Sequence, residues 1–238
     1  MPTVLPELTP ELIEKYDRLR AVLADMGSVV IGMSGGVDSV LLAKVAQDVL
    51  DQRALAVTAD SPSLPRRELR EAAELAQMAG IRHLIVKTTE VSDPRYAANP
   101  NNRCYFCKTE LFTRLDVLAA ERGLDWVAYG ENIDDLGDHR PGAQAAREHN
   151  VRAPLKEAGL PRPIFGHWQA ILSYQYGTNQ PLPALARVSR MAARSRPRNW
   201  PKLRQPKMHS GILGFASIAY ATMVTWPALR SIQPICHA

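Results

Sequence analysis

The chain is 238 residues long and 46% apolar, enough for one ordinary domain with or without an appendage and too apolar for a disordered tail protein. No run of about 18 uncharged apolar residues occurs, and the opening MPTVLPELTPELIEK carries acid where a secretory signal needs base, so a soluble, cytoplasmic chain with no membrane partner is expected. The net charge of +5 is unevenly spread: residues 1–162 hold 20 Lys+Arg and all 24 Asp+Glu, whereas residues 163–238 hold 9 basic residues and no acid, which argues against reading the whole chain as a nucleic-acid binder.

Residues 7–26 place Thr9 as an N-cap before Pro10 at the first helical position, with Leu12, Tyr16, Leu19 and Leu23 recurring at helical spacing, and predict an amphipathic helix. Ser28–Met33 then predicts a short buried strand, Ser34-Gly35-Gly36 a turn, and Val37–Leu50 a helix with Val40, Leu41, Val45 and Val49 as its apolar positions. The unit repeats in kind: Ala54–Thr58 as strand, Arg66–Met78 as helix, His83–Val86 as strand, Cys104–Arg122 as helix and Trp126–Tyr129 as strand. Short apolar strands alternating with helices predict an α/β fold, a parallel sheet covered by helices on both faces through right-handed crossovers. The stretch from Thr88 to Arg103, rich in Pro and Asn, is too long for a plain connection and is expected to be a substrate-side loop.

Ser34-Gly35-Gly36-Val37-Asp38-Ser39 stands at the carboxyl end of the first predicted strand and the start of a helix. Two glycines let backbone amides converge, the helix N-terminus adds partial positive charge, and Ser34 and Ser39 add hydroxyl donors, a set suited to phosphate or pyrophosphate. Asp38 beside an anion site makes sense mainly with a Mg2+ between it and the phosphates. No G-x-x-x-x-G-K-[ST] occurs, and no G-x-G-x-x-G follows a strand, so kinase-like P-loop and Rossmann readings fall.

The hexapeptide resembles the PP-loop of the ATP pyrophosphatases, whose fold is adenine nucleotide alpha hydrolase-like. Ala59–Leu69, Asp93–Lys108, Gly130–Gly142 and Val151–Leu160 resemble the LarE family, the ATP-dependent sacrificial sulfur transferases, over roughly residues 10–162. The resemblance implies an enzyme that uses ATP and Mg2+ to adenylate a carboxylate of a pyridinium mononucleotide. A cysteine then gives up its sulfur on the path to a nickel-pincer cofactor. It also implies an ATP site at Ser34, Gly35, Gly36, Val37, Asp38, Ser39, Ser61 and Gly130, with Asp38 as metal ligand and Asp38 and Lys108 as catalytic candidates. Asn132, Asp134, Asp135 and Arg140 would meet the nucleotide substrate, and a homo-oligomer is expected. The competing readings are a helix N-cap pair for Asp134 and Asp135, and solvated surface residues for Arg140 and Lys108. At the level of function they are an NAD synthetase-like ligase, a tRNA thiolase, or a non-catalytic nucleotide-binding remnant.

Three cysteines cannot staple a domain of this size. For Cys104-x-x-Cys107 a zinc site lacks two further ligands; redox chemistry, ligation of an iron-sulfur cluster, and two packed thiols all stay open. In the LarE family the donor cysteine lies downstream, in a stretch resembling W-D-K-P-A-S-A-C-L-S-S-R-I-P-Y-G, and this chain has no such segment, so no residue here is assigned as sulfur donor. Reading permitted codons for Tyr176–Ala192 from their third bases yields W-D-K-P-A-S-A-C-S-S-S-R-I-P-Y-G. Together with the missing acids this predicts a reading-frame slip near residue 162. The expected organisation is a PP-loop domain over residues 1–162 and a basic, poorly ordered, out-of-frame tail over residues 163–238.

Overall fold

The computed structural model describes residues 8–89, 103–137 and 141–162. All belong to the first of two units into which the chain divides, Met1–Trp200 and Pro201–Ala238. The expectations for most of the Thr88–Arg103 loop, for Arg140 and for the tail lie outside the described residues.

The elements run α1 (Pro10–Met26), β1 (Val29–Gly32), α2 (Val37–Leu50), β2 (Ala54–Asp60), α3 (Arg66–Met78), β3 (His83–Lys87), α4 (Arg103–Arg122), β4 (Trp126–Tyr129), α5 (Pro141–Glu148) and α6 (Pro154–Glu157). Thr9 caps α1 as expected: its hydroxyl accepts from the Leu12 N–H at 3.3 Å, and Pro10 opens the helix. Among the described residues the four strands form one parallel sheet in the order β3-β2-β1-β4, with Val30 opposite Leu55 and Val127 in register. Beyond β4 the segment at Arg152 begins a further parallel pairing, its N–H donating to Val127 O at 2.9 Å and its carbonyl accepting from Tyr129 N at 3.1 Å.

Strand side chains alternate between two cores, as the two-residue period requires. On one face Val29, Ile31, Ala54, Ala56 and Ala128 pack under α1, α2, α3 and α6; on the other, Val30, Leu55, Val57, Val127 and Tyr129 meet Phe112 and Leu115 of α4 and Ala145 and Ala146 of α5. The helices cover both faces, as expected for the apolar runs of β1 and β2, while the edge strand β3 has no fully buried residue. Each fully buried Leu, such as Leu19, Leu23 or Leu115, contributes about 1.5–3 kcal/mol of apolar burial. The first face carries alanines on the sheet, and there α2 is buried almost entirely, from Ser39 to Ala46. That close seating brings the start of α2 up against the carboxyl ends of β1 and β4.

Candidate nucleotide site at the switch point of the sheet

The chain runs outward from β1 through β2 to β3, then crosses back to lay β4 against the other side of β1. The order therefore reverses between β1 and β4, and in open parallel sheets ligands bind in the crevice outside the carboxyl ends of strands at such a reversal. The loop after β1 is Met33–Gly36 and the loop after β4 begins at Gly130, so both flank that crevice. Ser61, at the end of β2, stands on the far side of β1.

Gly35 has φ +79°, a backbone that side chains disfavour, and a Cβ there would lie 3.2 Å from Ala72 Cβ of α3. The Ser39 hydroxyl, on the first turn of α2, donates to Gly36 O at 3.0 Å and accepts from the Ser34 N–H at 3.2 Å, closing the loop on itself. Ser34 is exposed at the mouth, its hydroxyl 3.3 Å from that of Ser39 and 3.4 Å from the Gly36 N–H. Ser39 thus holds the cradle while Ser34 faces outward; Gly36, Val37 and Asp38 are half-buried.

Gly130 matters for a separate reason. A Cβ at this position would fall 2.8 Å from Ser39 N, 2.9 Å from Ser39 Cα and 3.0 Å from Asp38 C, all main-chain atoms. Only glycine lets the loop after β4 pass this close to the helix that carries Asp38. Beyond it Asn132 is fully buried; its Oδ1 accepts from the Asp134 N–H at 3.0 Å and its own N–H donates to Asp135 Oδ2 at 3.4 Å, so Asn132 and Asp135 together cap the 3-10 turn Ile133–Gly137. Asp134 is exposed and Asp135 buried.

Ser61 is buried, with its hydroxyl 2.7 Å from that of Ser63 and accepting from the Ser63 N–H at 3.0 Å. Arg66 at the start of α3 pins this loop by donating to Ser61 O at 2.7 Å and to Asp60. Lys108 on α4 sets its ammonium 4.6 Å from the centre of the Tyr129 ring at the end of β4, and its stem passes where a side chain at Gly142 would lie. Burial, then a hydrogen bond with Glu131, holds the Tyr129 phenol well above its ordinary pKa, so it stays a neutral hydroxyl. Cys104 is exposed and Cys107 half-buried, and neither is in a disulfide.

Three groups at the site carry no signal in a single sequence. Thr58 is buried, donates to Met33 O at 2.6 Å and stands 2.8 Å from His83 Nε2. Its one hydroxyl hydrogen is spent on Met33, so the His83 ring must donate from Nε2, and the chain His83–Thr58–Met33 anchors the residue before the phosphate loop to β2 and β3. Glu131 is buried and paired with Lys156 at 3.2 Å. Arg162 reaches both sides of the crevice: its Nη2 donates to Asp135 Oδ1 at 2.6 Å, its Nε lies 3.9 Å from Asp38 Oδ2, and its backbone N–H donates to Asp134 Oδ2 at 2.8 Å.

Arg162 thus lies within reach of both the Asp38 and the Asp135 carboxylates, oxygen donors of the kind that Mg2+ takes. Among the described residues no group of three or more His, Cys, Asp or Glu could hold a metal by itself, so a Mg2+ here would need oxygens from a bound phosphate as well.

Residues 13–115 match the family model described as NAD synthase. This stretch, less than half of the chain, resembles a PP-loop domain of that family. The chain is also 51% identical to an uncharacterized protein of Synechocystis sp. over 146 residues, 61% of this chain and 54% of that one. It is 34% identical to the pyridinium-3,5-bisthiocarboxylic acid mononucleotide synthase of Lactiplantibacillus plantarum over 148 residues, 62% of this chain and 54% of that one. The chain thus spans about half the length of the curated relatives it matches. Among solved structures it is similar to an NH3-dependent NAD synthetase from Campylobacter jejuni, with a TM-score of 0.46 and 15% identity over 76% of this chain and 93% of that one. Among the described residues of the PP-loop domain and its continuation, no helix is long and apolar enough to cross a membrane.

Proposed function

We propose that this chain binds ATP with Mg2+ in the crevice between β1 and β4, cleaves it between the α and β phosphates, and transfers the adenylate to a carboxylate of a pyridinium mononucleotide. This is the opening half of sulfur transfer in the LarE family. One observation carries the reading: the Ser34–Ser39 loop, at the switch point of the sheet, faces the Gly130–Asp135 loop across a contact that only glycine permits. The 34% identity to a pyridinium mononucleotide synthase supports the choice of substrate.

The amides of Gly35 and Gly36 and the Ser34 hydroxyl would donate to the pyrophosphate end of the nucleotide, with the α2 N-terminus adding its partial charge. Because Ser39 already ties the loop, these donors are in place before the nucleotide arrives and cost little reorganisation. Asp38 and Asp135 would hold the Mg2+, which when bound supplies neutralisation of phosphate charge. Ser61 and Gly130 would border the adenosine, Lys108 stays a catalytic candidate and Asn132, Asp134 and Arg140 stay on the substrate side, from which Asp135 is moved to the metal. The sulfur-transfer half is proposed to be impaired: residues 163–238 hold no acid, and their one cysteine, Cys236, stands in unrelated context. Sequencing the coding DNA around residues 160–165 tests the frame slip, and an intact frame removes it.

The test of function is pyrophosphate release from ATP with and without the pyridinium dicarboxylate mononucleotide. Release that depends on this substrate, and is abolished in Asp38→Asn, is the expected result; unchanged turnover in that variant refutes the role of Asp38. The family match of residues 13–115 favours a second reading, an NAD synthetase-like ligase. Release that requires ammonia supports it, release that requires tRNA supports a thiolase, and no release under any condition leaves a nucleotide-binding remnant.

A further inference from the structure

Arg162 joins two loops that the fold brings together from opposite sides of the switch point. Its guanidinium binds Asp135, whose side chain is only 5% exposed, and approaches Asp38, 22% exposed, while Arg162 itself stays 51% exposed. The buried Asp135 carboxylate accepts the Asn132 N–H on Oδ2 at 3.4 Å, and its Oδ1 takes Arg162 as its cationic partner at 2.6 Å. We infer that Arg162 is an internal counter-ion: it occupies the cation position of the crevice and is displaced when a divalent metal takes Asp38 and Asp135. This rests on the reading that the crevice receives nucleotide and metal.

Geometry makes the exchange one-sided. Asp135 is held in a buried turn and cannot leave, whereas the half-exposed guanidinium can swing into water while the backbone N–H of Arg162 keeps its bond to Asp134. The metal and the guanidinium compete for the same carboxylate oxygens, so they cannot be held there together. Arg162 links Asp38, at the start of α2, to Asp135, in the loop after β4. It also lowers apparent metal affinity, because the competent arrangement is only a fraction of the population. Arg162 is therefore an autoinhibitory contact rather than a catalytic residue.

The experiment is a Mn2+ titration read by water-proton relaxation, with and without ATP, on the full chain and on Arg162→Gln and Arg162→Ala. Both variants should bind Mn2+ about five-fold tighter or more, the scale of one partly exposed ion pair. Adding Asp38→Asn or Asp135→Asn should remove the gain. Equal or weaker metal binding in the variants overturns the inference. If Arg162→Ala loses its thermal unfolding transition, Arg162→Gln decides, since it keeps a donor for Asp135. In the unsubstituted chain with nucleotide bound, the Arg162 Nε–H resonance should move to its solvent-exposed position on adding Mg2+; an unmoved resonance overturns the inference directly. Should ATP bind no form of the protein, the proposed function falls and this inference with it, whereas ATP binding with unchanged Mn2+ affinity in the Arg162 variants overturns the inference alone.

Discussion

Replacing Gly130 by alanine separates a packing requirement from a ligand requirement. The added methyl would lie 2.8 Å from Ser39 N, and an ordinary contact of 3.4 Å demands that the start of α2 recede by the difference, 0.6 Å. The helix cannot yield as a body, because Ser39 to Ala46 are all buried against the first core. Overpacking of this kind costs about 1–3 kcal/mol. The strain falls on Ser39, whose hydroxyl closes the phosphate loop, so nucleotide affinity should fall with stability. Urea unfolding of the nucleotide-free chain measures the first effect and calorimetry with Mg2+ and ATP the second. Gly123→Ala is the control: it carries a backbone cost that Gly130 does not, with φ +62°, but has nothing within 4 Å of the new methyl, and should lose about 1 kcal/mol with unchanged affinity. If Gly130→Ala leaves the nucleotide-free chain within about 0.5 kcal/mol of the parent while weakening ATP binding, the packing argument is wrong.

Thr58→Val removes the hydroxyl joining Met33 O to His83 while conserving shape, so it should destabilise by about 1–3 kcal/mol without a cavity. A double-mutant cycle with His83→Leu should be non-additive, and additivity would show that the three groups do not act as a chain. Burial holds the His83 pKa below the ordinary imidazole value of about 6.5. The folded state therefore favours the neutral ring: the contribution of His83 is fully present above the unfolded value and is lost as pH falls below it towards the folded one. Urea midpoints measured from about pH 7 down to about pH 5 should decline less steeply in His83→Leu, and parallel slopes would contradict this.

Much of the site was legible because its residues are consecutive. Ser34–Ser39 form a hexapeptide whose glycine turn, helix start and hydroxyls lie within one loop, and the structure sets it at a strand-to-helix junction. Asp38 and Asp135 were both named from sequence, yet their convergence was not visible, because it depends on β4 returning beside β1. Arg162, Thr58, Glu131 and Lys156 went unassigned for the same reason: each acts through a partner far along the chain. The short helices α5 and α6 were missed because eight and four residues give too few turns to establish a helical period.

Composition and periodicity by themselves determined the alternation of strands and helices and the parallel, doubly covered sheet, since burial on both faces writes itself into the central strands β1 and β2 as apolar runs. Strand starts and helix caps followed from local chemistry, as at Thr9 and Pro10. Only the tertiary structure decided the order β3-β2-β1-β4, the crevice that order creates, the bare backbone contact at Gly130 and the guanidinium lodged between Asp38 and Asp135. Periodicity records which face of an element is buried but not which element covers it, and charges that meet across a switch point leave no pattern along the chain.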